Sequence, residues 1–300
     1  MSRVSGSRGR RGGWPGYALV AAAAASWGAQ SVVVKRLLQA GLSAGLLVSA
    51  RTALAAIVVL ASLAVWRPAL LRVAPPALGR IVILGTLGMA LTNYTYYSML
   101  ARIPVATAVL LLYTAPLFVL AASVLLLGEP LRRRDVGAAA VTLAGAALVV
   151  GAWAPATLAI DAGGLVLGLG SALAYAFYNL WAKTLPPGLS PWTVLAYSFA
   201  GATLVWVPLA PPWTLVGQAR GPEVWTGVAI VTVFGTLVPF ALSLAGLRRI
   251  SAAHASVTST LEPVVATVAA FAILGETLAP SQLVGGALVL AGIALLHLRP

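Results

Sequence analysis

The sequence predicts an all-α membrane protein of ten transmembrane helices, arranged as two inverted five-helix repeats. Three observations predict it: a composition too apolar for water, ten apolar segments between polar or Pro/Gly-rich breaks, and an internal repeat of five segments. Of the 300 residues, 60% are hydrophobic and 8% are charged, against roughly 25% charged in an ordinary soluble domain. A soluble fold of this size could not bury so many apolar side chains and still cover its surface with polar ones. The mean hydropathy of +0.97 points the same way. At about 20 residues per crossing, the chain holds roughly ten spans and leaves no room for a separate soluble domain.

Residues 1–15, rich in Arg, Gly and Ser, read as a disordered cytoplasmic tail. With the run Ala21–Ala25 the tail imitates a secretory signal, but the apolar stretch is too long for one and nine more spans follow. Span 1, Gly16–Leu38, carries Ser26, Trp27, Gln30 and Ser31. Span 2, Ser43–Trp66, is apolar around one cation, Arg51. Span 3, Gly79–Leu100, holds Asn93, Tyr94, Tyr96 and Tyr97. Span 4, Pro104–Leu127, holds Thr107, Tyr113 and Thr114 just before Pro116. Span 5, Val136–Trp153, follows three consecutive arginines. In the second half, span 6, Ala162–Lys183, shows Ser171, Tyr175, Tyr178 and Asn179. Its Gly164, Gly168, Ala172 and Ala176 recur every four residues, a ridge that allows close helix packing. Span 7 is Pro191–Leu209, and span 8, Glu223–Leu247, spaces Thr232, Thr236 and Ser243 helically. Span 9, Ala252–Leu274, contains Glu262 and Pro263, and span 10 is Ser281–Leu298.

The net charge of +13 could suggest nucleic acid, but basic residues also gather in cytoplasmic loops. An even span count puts both termini on one side. That side collects Arg3, Arg8, Arg10, Arg11, Arg67, Arg72, Arg80, Arg132, Arg133, Arg134, Lys183, Arg248, Arg249 and Arg299. The other side has only Lys35, Arg36, Arg102 and Arg220. The charge is therefore topological: both termini are expected in the cytoplasm, the lipid bilayer is the surrounding partner, and no nucleic-acid partner is expected. The absence of cysteine removes thiol chemistry and disulfides, and His254 and His297 are too few for a histidine-rich metal centre. No metal or other cofactor is expected. No GxxxxGK[ST] loop is present, so ATP is not hydrolysed within this chain.

Shifted by 147 residues, the sequence matches itself. ARIPVATAVLLLYTAPLFVLAASVLLLGEP at 101–130 lies over RRISAAHASVTSTLEPVVATVAAFAILGET at 248–277. Arg102 meets Arg249, Pro116 meets Pro263, and Gly128–Glu129 meets Gly275–Glu276. A shift of 148 puts Lys35 on Lys183. The repeats cover 16–153 and 161–298. Five spans is an odd number, so the second copy starts from the opposite membrane face. Such inverted repeats typify carriers that alternate access around a midplane site.

These residues resemble a known family. LEPVVATVAAFAILGETLAPSQLVGGALVLAGIALL is similar to the last two helices of EamA-type members of the drug/metabolite transporter superfamily. TAPLFV and LLLGEPLRRRDVGAAAVTLAGAALV resemble the same unit in the first half, SWGAQSVVVK resembles that family's first helix, and Arg51 fits as well. The resemblance spans residues 16–298. It implies a ten-helix inverted-repeat carrier in a bacterial cytoplasmic (inner) membrane, with a central cavity lined by helices 1, 3, 4, 6, 8 and 9. It implies no particular cargo.

Glu262 is the sharpest site candidate. It lies about ten residues into span 9, near mid-membrane at ~1.5 Å per residue, where an ionised group costs at least ~2.5–3.5 kcal/mol. Ser259 and Thr258 sit three and four residues earlier, on nearly the same helix face. Glu262 would carry protons or bind a cationic group; alternatively it satisfies backbone freed by Pro263. The remaining expected cavity residues are Trp27, Gln30, Asn93, Tyr97, Tyr113, Tyr175, Tyr178 and Asn179, aromatic walls with a few hydrogen-bonding groups. Arg51, roughly 12 Å deep, is expected to snorkel to the interface, with pairing to an anionic cargo as the other option. His254 is expected at the interface, and Glu129 and Glu276 in tight turns. The function expected is a secondary-active exporter of small metabolites such as amino acids or amphiphilic compounds, with protons as the possible coupling ion. A passive channel or uniporter is the alternative, although no filter or charged ring is visible. An enzyme is not expected, since no nucleophile with its base can be found.

Overall fold

Prolines and glycines set where the apolar runs become helices. The helices opening at Pro75, Pro191, Pro222 and Pro280 each begin on proline after a loop, where the missing N–H would have had no partner anyway. Ser43, Asp161 and Ser251 cap helix starts by accepting the amides of Leu46, Gly164 and His254 at 3.2, 2.6 and 3.1 Å. Gly151 and Gly275 end helices with φ of 76° and 69°, the left-handed conformation that glycine adopts without strain.

The structure, a computed structural model, describes residues 13–100, 102–103, 105–127, 132–152, 161–218, 221–275 and 277–296. Residues 1–12 of the expected tail, Glu129, Glu276, His297 and the side chain of Thr107 lie outside these. The first half contains α1 (Gly13–Gln39), α2 (Ala44–Trp66), α3 (Pro75–Ile83), α4 (Leu91–Leu100), α5 (Val105–Leu112), α6 (Ala115–Leu127) and α7 (Arg133–Val150). The second contains α8 (Ala162–Lys183), α9 (Pro191–Trp206), the short α10 (Leu215–Gln218), α11 (Pro222–Thr232), α12 (Val238–Leu247), α13 (Ala252–Ser259), α14 (Leu261–Leu274) and α15 (Pro280–Leu295). No strand occurs among the described residues.

Among the described residues, six segments are long and apolar enough to cross a membrane: Trp14–Gln39, Ala44–Trp66, Pro75–Met99, Ala162–Lys183, Pro222–Leu247 and Ala252–Leu274. Leu110–Leu126 and Pro280–Leu295 are shorter apolar helices. The two remaining expected spans fall on α7, whose first turn is charged, and on the shorter α9. Large apolar side chains point outward around the molecule, among them Ile57, Val65, Leu125, Val166 and Leu204. In water such a surface would drive aggregation; against acyl chains it carries no penalty.

Two features depart from uninterrupted helices. Pro116 and Pro263 each follow a break, at 113–114 and at Thr260. At each break a threonine hydroxyl donates back to a carbonyl three residues earlier, Thr114 to Leu111 at 2.7 Å and Thr260 to Val257 at 2.5 Å. The second feature is a π-helical stretch between α3 and α4 (Leu84–Ala90) and another between α11 and α12 (Val233–Leu237). Gly88 and Gly235, 147 residues apart, occupy these wide turns and let a neighbour in: Tyr178 packs on Gly88, and Gln30 on Gly235.

The packing repeats between halves. α1 runs parallel to α13–α14, with Tyr17 by His254 and Gly28 by Glu262, and antiparallel to α11–α12, with Gly246 by Val20 and Gly227 by Leu37. α8 has the same two neighbours in the other half. It runs parallel to α5–α6, with Gly168 by Leu111 and Ala176 by Val119, and antiparallel to α4, with Gly88 by Tyr178 and Gly163 by Arg102. α2 packs on α9, and α7 on α15. The α7–α15 pair is antiparallel: a Cβ added to Gly145 would lie 2.6 Å from the Gly285 carbonyl oxygen, and one added to Gly292 would lie 2.9 Å from that of Ala138.

Candidate functional site

The π-helical turn in the second half shapes one side of the site. Its carbonyls take bonds from α1: Ser26 Oγ donates to Phe234 O at 2.5 Å and Trp27 Nε1 to Gly235 O at 3.2 Å. Trp27 also meets Phe240 edge-on, with ring centroids 5.3 Å apart. Gln30 lies against Gly235, and its buried Oε1 has no hydrogen-bond partner. Phe240 continues the aromatic chain: it is edge-on to Tyr178 at 5.9 Å, and Tyr178 stacks with Tyr175 at 6.4 Å. Asn179 is buried, donates Nδ2 to Tyr175 O at 2.9 Å, and lies with Ser259 within hydrogen-bonding reach of the Tyr175 phenol.

Glu262 stands in the first turn of α14, immediately after the break at Thr260. The Tyr113 phenol, at the equivalent break in the other half, is within hydrogen-bonding reach of its carboxyl, and Tyr96 and Tyr175 are close enough to feel its charge. Tyr97 meets Tyr96 edge-on at 5.5 Å. Glu262 is half-buried rather than sealed. Ser259 and Thr258 instead donate to carbonyls of their own helix, at 3.0 and 2.8 Å. Among the described residues, the cation acting on the carboxyl is the guanidinium of Arg51.

Arg51 corrects the sequence expectation. It does not snorkel: the residue is 8% exposed, and Nη2 donates to Asn93 Oδ1 at 3.0 Å. Asn93 is fixed in turn by donating Nδ2 to Met89 O at 2.7 Å. The Nε of Arg51 is buried with no hydrogen-bond partner. α2 places this charge opposite α4, so its long stem reaches inward instead of along the lipid face.

The structure therefore links Trp27 through Phe240 to Tyr178, Tyr175 and Asn179, sets Gln30 on the same π-helical turn as Trp27, and places Tyr113, Tyr175 and the Tyr96–Tyr97 pair near Glu262, while Ser259 bonds its own helix and Asn93 holds Arg51. Phe240, which links Trp27 to Tyr178, is not among the residues the sequence marks, because a phenylalanine in an apolar run gives no signal there. Of the other polar positions, Tyr94 points outward, while Thr232 and Thr236 bond carbonyls of their own helix. The ridge of span 6 serves packing, with Gly164 on Ile103 and Gly168 on Met99 and Leu111. His254 is more than interfacial: its ring binds Asp135 at 3.3 Å and the Tyr17 hydroxyl.

Comparison with known proteins agrees with this architecture. The EamA-like transporter family matches twice, over residues 14–151 and 162–298. An "Uncharacterized transporter" of Archaeoglobus fulgidus is 31% identical over 212 residues, 69% of this chain and 74% of that protein. A "Probable terminal-alkyne amino-acid exporter" of Streptantibioticus cattleyicolor is 31% identical over 66% of each chain. The "Threonine/homoserine exporter RhtA" of Escherichia coli K12 is 29% identical over 67% of this chain and 65% of that protein. A crystal structure with 20% identity superposes at a TM-score of 0.79, covering 95% of this chain and 96% of that one, which shows a shared fold. Two matched repeats over nearly the whole length make this chain a membrane transporter of the EamA-like family, within the drug/metabolite transporter superfamily.

Proposed function

We propose that the protein is a secondary-active exporter of a small amino acid or a related amphiphilic metabolite. It alternates access between ten spans arranged as two inverted halves, with both termini in the cytoplasm of a bacterial inner membrane. The observation that carries this reading is the placement of Glu262 and the buried Arg51 in one tyrosine-rich interior, with the guanidinium near enough to act on the carboxylate without forming an ion pair. A cargo ammonium fits against the Glu262 carboxylate and the faces of Tyr113 and Tyr175, which attract cations. A cargo carboxylate fits the buried guanidinium, whose Nε has an unused donor. The names of the two exporter relatives, both for amino acids, favour the same class.

A carboxyl at this depth also suits proton exchange. Binding of an ammonium and binding of a proton at Glu262 exclude one another, so protons entering from outside displace cargo, and cargo loaded from inside displaces protons. The test is a flux panel in proteoliposomes, led by threonine and homoserine, with and without a pH gradient. Saturable counterflow that the gradient accelerates is expected, and ohmic flux of a passive channel would overturn the reading. Glu262→Gln is expected to remove the gradient's effect; an unchanged rate and pH profile in that variant would overturn its role.

A further inference from the structure

Three helices that start at the same end of the molecule meet through one imidazole. His254 opens α13, Tyr17 lies in the first turns of α1, and Asp135 in the first turn of α7. His254 Nε2 lies 3.3 Å from Asp135 Oδ1, and Nδ1 is hydrogen-bonded to the Tyr17 hydroxyl. Tyr17 and Asp135 are buried, and the Arg134 Nε stands 3.6 Å from the same carboxylate oxygen. With Asp135 accepting at Nε2, a neutral ring takes the Tyr17 proton at Nδ1, and a charged ring donates to both partners. Either form of the ring holds all three helices.

The link crosses between the halves, since His254 belongs to the second repeat and its two partners to the first. Beside it the seam is not packed shut. A half-open cavity of about 270 Å³ lies between α6, α7 and α13, lined by Ser123, Val124, Arg132, Asp135, Ser251 and His254. Leu120 and Ala253 complete the lining, so polar and apolar side chains share this wall. At the opposite end, among the described residues, the halves are instead joined by an exposed ion pair, Arg102 with Asp161 at 3.3 Å, and no buried counterpart of the three-residue cluster is seen. The repeat shifts of 148 and 147 put Leu165, Thr107 and Gln282 in place of Tyr17, His254 and Asp135. Leu165 is exposed, and Gln282 instead accepts from Ala279 N at 2.9 Å and donates to Val149 O at 3.3 Å.

We propose that Tyr17, His254 and Asp135 form a one-sided gate latch, which holds the cavity closed at the end where α1 begins and must part for that end to open. The latch rests on the carrier reading above, but its test needs neither cargo nor gradient. The chain has no cysteine, so Ser259→Cys gives a clean reporter beside Tyr175. A membrane-impermeant maleimide is applied to each side of oriented vesicles, the sides being identified by an N-terminal epitope tag. In His254→Ala and Asp135→Asn, labelling from the tagged side is expected to rise about fivefold, as loss of one or two hydrogen bonds shifts a two-state population, while labelling from the other side falls. Tyr17→Phe removes a single oxygen and gives a smaller shift in the same direction, so a misfolded His254→Ala does not end the test. His254→Gln, which can still donate to Asp135, restores part of the closed population. Unchanged labelling in variants that remain monodisperse overturns the latch, as does an equal rise from both sides, the mark of a merely loosened fold. Absence of saturable flux in the wild type, with the one-sided shift intact, overturns the carrier reading alone.

Discussion

The two ionisable side chains of the central site were not equally readable. Glu262 was legible because a lone carboxylate in an apolar run has no bland surface to occupy. The direction of Arg51 was not, because a guanidinium at that depth reaches either lipid headgroups or a neighbour, and only the placement of α4 beside α2 decides. Neither group has a partner under the repeat: Ala115 lies at the position equivalent to Glu262, and Ser198 at that of Arg51. The chemistry sits in departures from symmetry, whereas Trp27 with Tyr175 and Gln30 with Tyr178 are equivalent positions that line the walls. Asn93 tests the arrangement. Asn93→Ala takes the one hydrogen-bond acceptor that Nη2 has among the described residues and leaves a buried charged donor unmade, which costs about 1–3 kcal/mol or more. We expect a lower midpoint of thermal unfolding in detergent, with Asn93→Asp recovering it.

At the level of helices, the sequence showed the breaks it could mark with a residue type. Proline announces the interruptions at 113–114 and 260, because it removes a donor from the ladder. The π-helical turns carried no such mark: glycine and threonine occur in many straight spans, and the widening arises from what Tyr178 and Gln30 press against. Glycines in turn divide into those that matter and those that do not. A Cβ at Gly145 would meet backbone of α15 at 2.6 Å, which no side-chain rotation can relieve, while one at Gly137 on the same helix meets nothing within 4 Å. Gly145→Ala should therefore destabilise by about 1–3 kcal/mol, with loss of monodisperse protein on size-exclusion chromatography. Gly137→Ala should be neutral or stabilise by roughly 0.5–1 kcal/mol.

Across the whole molecule, the repeat and the arginine bias were legible because both are periodic or summed signals that survive local error. The number of crossings was less so, since α7 and α9 owe their place to packing more than to length. The arrangement predicts sidedness. Gly188 and Gly217 both have open space around them; Gly188 lies in the connection before α9, and Gly217 in the short α10 between α9 and α11. In the chain as it stands, without cysteine, Gly188→Cys should react with an impermeant thiol reagent from the cytoplasm and Gly217→Cys from outside. Reaction of both from one side would reject the inverted topology. The α7–α15 pair bears on how such a body moves. Its backbones touch at two points along their length, one from each repeat, so a slide of one helix past the other would collide at both glycine contacts together. A swing about the pair would meet no such obstacle, so in the proposed rocking of the halves this corner would serve as the fulcrum and the widest travel would fall to the side chains farthest from it.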